Sequence, residues 1–347
     1  MGLAAHGEFM KGDSAGSSAT ALTILRFGNA GFGILSNALL ARRLGPGSYG
    51  LLGSLLGLDA LSNVFGEWAT TPFLVRHVMQ SEPNQSKRTG GSVATLRLVT
   101  GTLSTGVLLA VFLAIVRPSG QNAGFLGLMV FLPSLGYFTT PIMPALLGKG
   151  RYLAYSLLTQ LPGVLWSLGA IYVSLAHGNL RFAVTVFAAC GLVSAFINLI
   201  VGQATHLGIW QRPRFRSLPD AWRLWSELRP GALRQAWAYV PWRILPAVLV
   251  LTQNPRQAGD IIAGMKYWEQ ASVPVTSVTQ LKVRELIREG VTDGVAVIED
   301  LLWIALGFSV MAIPASVIYV HLFLGPSFKG LVIQANIPNN TIREVTK

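Results

Sequence analysis

Long apolar stretches broken by short polar turns recur along most of the chain. They fall at residues 21–41, 49–69, 91–116, 122–147, 152–175, 182–205, 233–252, 258–281 and 297–324, and each is close to the roughly 20 residues that cross a bilayer as a helix. The pattern predicts an all-α polytopic membrane protein with about nine transmembrane helices. The eighth stretch is the least apolar, because Asp260, Lys266 and Glu269 lie in it, and such a sequence also suits a surface or re-entrant helix. Residues 1–20 lack the apolar centre of a cleavable signal peptide and read as a disordered cytoplasmic lead-in.

Composition agrees with the pattern. Of 347 residues, 51% are hydrophobic and 12% charged, and mean hydropathy is +0.50, whereas soluble domains carry about 25% charged residues. A single cysteine, Cys190, excludes an intrachain disulfide framework. The net charge of +12 is explained by cationic loops kept on the cytoplasmic side, so no nucleic-acid partner is expected. Alternate loops differ in this respect. One side gathers Lys11, Arg76, Lys87, Arg88, Lys149, Arg151, the arginines from Arg212 to Arg229, and Lys282, Arg284 and Arg288; the other holds Arg42, Arg43, Arg117, Arg181 and Arg256. The N-terminus is therefore expected in the cytoplasm.

Between the sixth and seventh stretches, Trp210, Phe215, Trp222 and Trp225 are interleaved with arginines, the composition of an amphipathic interfacial segment. This divides the chain into a six-helix first lobe at 21–205, a basic linker at 206–232, a partial second lobe of three helices at 233–324 and a polar tail at 325–347.

Charges inside apolar runs carry the candidate chemistry, since an Arg or Lys at mid-bilayer costs about 2.5 to 3.5 kcal/mol even on lenient scales. The cations are Arg26, Arg97, Arg243 and Lys266, and the clearest anion is Glu67. Guanidinium forks suit phosphate oxygens; equally, Arg26 and Arg97 could snorkel from helix ends, or one could pair with Glu67. Prolines at 133, 141, 144, 162, 241, 246 and 314 permit bends beside a substrate path. Gly53 and Gly57 have the spacing of a close helix contact, read as packing within the chain rather than dimerisation. No ATP-binding loop is present, since Met143 stands where Gly148-Lys149 would need its first glycine. The five scattered histidines suggest no metal site, and no cofactor is expected.

Several motifs resemble a known family. Leu44-Gly45-Pro46-Gly47-Ser48-Tyr49-Gly50 is similar to the turn after the first helix of polysaccharide biosynthesis proteins, the Wzx-type flippases of lipid-linked oligosaccharides such as O-antigen. Phe73-Leu74-Val75-Arg76, the run from Leu146 to Tyr152, Leu228-Arg229-Pro230-Gly231, and Gly259 to Trp268 with Ala263, Lys266 and Tyr267 fit the same pattern in order. The resemblance runs from about residue 20 to residue 330 and rests on order and spacing, each motif alone being loose.

The resemblance implies a MATE-like fold of two helical lobes around a cavity. It implies an inner-membrane, non-enzymatic transporter that moves a polyprenyl-diphosphate-linked oligosaccharide by alternating access. Arg26, Arg243, Lys266 and Arg97 would contact the diphosphate, and Glu67 would carry a coupling proton or neutralise an arginine. Two departures stand out: Pro241-Trp242-Arg243 where the family often has an acidic residue, and a polar tail where a tenth helix should begin. The expected consequence is a truncated second lobe, with an inactive product or a homo-oligomer covering the open face. The alternatives are an exporter of drugs or metabolites from the same superfamily and a membrane glycosyltransferase or polymerase. An enzyme of that kind generally needs carboxylates or large loops at the outer face, and residues 42–48 contain no carboxylate.

Overall fold

A computed structural model describes residues 15–80, 83–116, 123–132, 142–148, 151–204, 217–252, 255–271 and Tyr319. Every element among them is helical: α1 (Ala15–Glu67), α2 (Thr70–Gln80), α3 (Pro83–Val116), α4 (Ala123–Phe131), α5 (Ile142–Gly148), α6 (Tyr152–Leu175), α7 (Leu180–Ala204), α8 (Leu218–Thr252) and α9 (Pro255–Ala271). Four are long and apolar enough to cross a membrane, with candidate spans at Ile24–Glu67, Thr89–Ala114, Leu157–Leu175 and Leu180–Val201. The ninth predicted stretch and the polar tail lie outside the described residues, apart from Tyr319.

The first two predicted helices meet at one residue. Gly45 has φ 72° and ψ 164° inside the 53 residues of α1, a backbone conformation open chiefly to glycine. Pro46 follows it as the first residue of the next segment, where its missing N–H would have no helical partner anyway. The joint reverses the chain. In a straight helix Asn37 and Tyr49 would be about 18 Å apart along the axis, yet the Tyr49 hydroxyl is 3.5 Å from the Asn37 side-chain oxygen. Segments 15–44 and 46–67 are therefore the two arms of a hairpin. The first arm begins six residues before the predicted stretch.

The second arm ends in a strained break. Trp68 and Ala69 have φ of 45° and 53°, which costs non-glycine residues on the order of 1 kcal/mol or more each. The Thr70 hydroxyl donates to the Glu67 carbonyl across it at 2.5 Å, and the chain restarts as the short α2. The Phe73 to Arg76 motif therefore belongs to a separate helix. Within the fourth predicted stretch the described residues form α4 and α5. Pro133 and Pro141 lie between them, outside the described residues; Pro144 lies in α5.

The linker expected at 206–232 does not end where the next helix begins. From Leu218 it is the first half of α8, which runs unbroken for 35 residues through Pro230, Pro241 and Pro246. At about 1.5 Å per residue α8 is far longer than the hydrocarbon layer is thick, and only Tyr239–Val250 forms a short apolar helical run within it. The predicted eighth helix is α9, 17 residues long and not among the four candidate spans.

Packing centres on α1. Leu40, Leu52, Leu55, Leu58 and Leu61 are buried in one cluster with Phe112, Leu126, Ala258 and Ile262. Between apolar helices in lipid, close approach and hydroxyl bonds supply the specificity. A bond of 3.0 Å between Ser62 and Thr105 and one of 3.1 Å from Thr100 to the Gly66 carbonyl join the second arm to α3. The Gly53 and Gly57 surfaces both face partners within the chain: Ile262 of α9 at the first, and the Arg243 carbonyl of α8 at the second, 2.7 Å from where a Cβ would stand. This is the intramolecular role that their spacing suggested.

Candidate functional site

Contacts between distant residues define two ends of the bundle. At one end Arg43 donates to the His177 carbonyl at 2.8 Å, and Gly259 abuts the backbone of Pro46. The end of the first α1 arm, with Arg43, and the start of α7, with Arg181, therefore lie together, and Arg256 is on the same α9 end. Charge counting assigns these residues to one side. At the other end the Trp68 indole donates to the Trp225 carbonyl at 3.2 Å, and Thr95 shares a 2.8 Å hydrogen bond with Ser217.

Midway between these ends the helices bring a charged group together. Arg243 of α8 donates through Nη1 to Glu269 Oε1 of α9 at 2.6 Å, and Lys266 Nζ donates to Glu269 Oε2 at 2.6 Å. Lys266 and Glu269 are three residues apart on α9 and so share a face. Arg243 lies at the level of Gly57, the middle of the second α1 arm. The next α9 residue, Gln270, covers Gly33 in the middle of the first arm, its side chain 3.0 Å from where a Cβ would stand. Four different surfaces thus meet at one height.

One carboxylate bridges two cations here, so the group carries an excess positive charge. The Arg243, Lys266 and Glu269 side chains are 31%, 22% and 38% exposed. Trp237 and Trp242 elsewhere on α8 are far more open, at 86% and 68%, as side chains turned to lipid would be. Tyr267 of α9 is buried in the core cluster with Tyr49 and Tyr319, its ring 4.8 Å from that of Tyr319.

Arg97 and Glu67 lie at the Trp68 end. Arg97 is 2% exposed and donates through Nε to the Thr70 hydroxyl at 2.5 Å and through Nη2 to the Thr71 hydroxyl at 2.9 Å. It does not snorkel; it ties α3 to the start of α2. Glu67 acts on it electrostatically and accepts a 3.4 Å bond from Gln235 of α8. Beside them Trp225 stacks between Trp68, at 5.5 Å and 9°, and Trp222, at 4.9 Å and 17°. Arg229 stands 6.0 Å from the Trp225 ring. Arg26 is half-buried in the first arm, about 10 Å along the helix from Gly33.

The structure thus joins Arg243 to Lys266 and sets Arg97 near Glu67, at different heights. The residue that sequence reading passed over is Glu269, which figured only as a reason to doubt the eighth crossing. Its signal was the spacing of three from Lys266 within a helix that also carries apolar positions. Among the described residues no group of three or more His, Cys, Asp or Glu side chains is arranged to hold a metal ion.

Comparison with family models, curated proteins and solved structures gives no match to the chain.

Proposed function

We propose that the protein is a membrane transporter of an anionic lipid-linked substrate, and specifically a flippase for a polyprenyl-diphosphate-linked oligosaccharide. The observation that carries this reading is the pairing of Arg243 with Lys266 around one carboxylate at mid-height. A guanidinium and an ammonium fixed at that depth are costly unless something there uses them, and their donors suit the oxygens of a diphosphate. The motif resemblance supports the same substrate class and a MATE-like two-lobe architecture in the inner membrane, with the N-terminus in the cytoplasm.

In this reading no bond is made or broken. The head group contacts Arg243 and Lys266 on the surface that these side chains leave exposed, and Arg26, about 10 Å further along the first arm, is a second contact on its path. The prolines at 241 and 246 flank Arg243 and leave backbone carbonyls of α8 without their usual donors, a condition tolerated where a cavity brings water. Any coupled ion must bind the two access states with different affinity.

A transport assay with Arg243→Ala tests the reading. At equal protein level the variant should lose most transport of the diphosphate-linked substrate; unchanged transport contradicts the assignment.

A further inference from the structure

Glu269 holds two cations at once. Each carboxylate oxygen takes a different donor, Arg243 at 2.6 Å and Lys266 at 2.6 Å, so the group spans the gap between two helices as a bridging anion does. A part-buried ion pair of this kind adds little stability over apolar packing. All three side chains keep between a fifth and two-fifths of their surface exposed, which leaves an approach to the bridge.

We propose that Glu269 is a tethered competitor of the substrate: its carboxylate occupies the place of an incoming phosphate group and gives up Arg243 and Lys266 when that group binds. This rests on the reading that the substrate is anionic. The charges favour exchange. One carboxylate leaves the two cations with an excess of one positive charge, whereas a diphosphate brings at least two negative charges and several acceptor oxygens to the same donors. Tethering has a second consequence. Without substrate the carboxylate offsets one of the two charges, so the empty site changes access with one uncompensated charge in hydrocarbon rather than two. Affinity is lowered because the ligand must displace the carboxylate, and release is made easier for the same reason.

The inference makes Glu269 a determinant of affinity rather than a support. The test is calorimetric titration of inorganic pyrophosphate into the full-length protein in detergent, for wild type, Glu269→Gln and the Arg243→Gln/Glu269→Gln pair. Glu269→Gln should bind at least about tenfold more tightly than wild type, a difference of about 1.4 kcal/mol, and the double variant should lose that gain. Equal or weaker binding by Glu269→Gln, or a gain that persists without Arg243, overturns the proposal. A second measurement uses the unaltered protein. Carbodiimide modification of Glu269, read by mass spectrometry, should speed up when pyrophosphate is added; no change or protection overturns the proposal even if Glu269→Gln fails to fold. If both results are as expected but no lipid-linked substrate is transported, the transport reading fails and the competition stands. If transport occurs and both results are negative, the competition alone fails.

Discussion

Gly259 of α9 lies against the Pro46 carbonyl in the turn of the α1 hairpin, so closely that a methyl group there would overlap the backbone. Because the obstacle is main chain, it cannot rotate away. Gly259→Ala should lower stability by about 1–3 kcal/mol, seen as a lower thermal midpoint in detergent. Gly28→Ala, where no atom stands within 4 Å of the new carbon, should leave the midpoint unchanged or raise it.

Gly45 makes the reversal that permits this contact. With φ at 72° and ψ at 164°, Gly45→Ala forces alanine into a backbone region essentially reserved for glycine, at a cost of about 1–3 kcal/mol. Thermal unfolding should show a loss of that size, and a midpoint that, like that expected of Gly28→Ala, does not fall would mean the hairpin is joined in another way.

Arg97 is predicted to hold the fold rather than substrate. Its bonds to Thr70 and Thr71 steady the chain across the strained Trp68–Ala69 break. Arg97→Ala and Thr70→Ala should each destabilise, and the double variant should lose less than the sum by about 1 kcal/mol or more. Additive losses in a double-mutant cycle would remove the coupling.

Sidedness gives a fourth prediction. In a Cys190→Ser background, single cysteines at Arg43 and Arg256 should react with an impermeant maleimide from one face of sealed vesicles, and cysteines at Trp222 and Arg229 only from the other. Labelling of Arg43 and Trp222 positions from the same face would contradict the two-ended arrangement.

The all-helical class and several helix positions are legible in the sequence because hydrophobic length alone sets them. The α6 and α7 helices, for example, match their predicted stretches within a few residues. The joints are less legible. The turn at residues 44–50 is legible, but not its tightness: a Gly-Pro pair suffices to reverse the chain there, since glycine supplies the positive φ and proline starts the next helix. Pro230-Gly231 reads as a boundary, yet α8 continues through it, with Gly231 set beside Ala69. A proline costs one hydrogen bond, and whether that breaks a helix depends on neighbours which a single sequence does not show. The candidate site was half legible for the same reason. Arg243 and Lys266 stand out as charges in apolar runs, but the carboxylate between them is recognised only when α8 and α9 are seen side by side.

The most direct measurement of the central claim is lipid translocation in proteoliposomes of the purified protein. Vesicles would carry a fluorescent polyprenyl-diphosphate oligosaccharide in one experiment and a fluorescent phosphatidylcholine in another, with wild type and Arg243→Gln compared in each. The account predicts that wild type moves the diphosphate-linked lipid and not the phosphatidylcholine, and that Arg243→Gln is slower by tenfold or more. Failure of wild type to move the diphosphate-linked lipid, or equal rates for the two proteins, would contradict it.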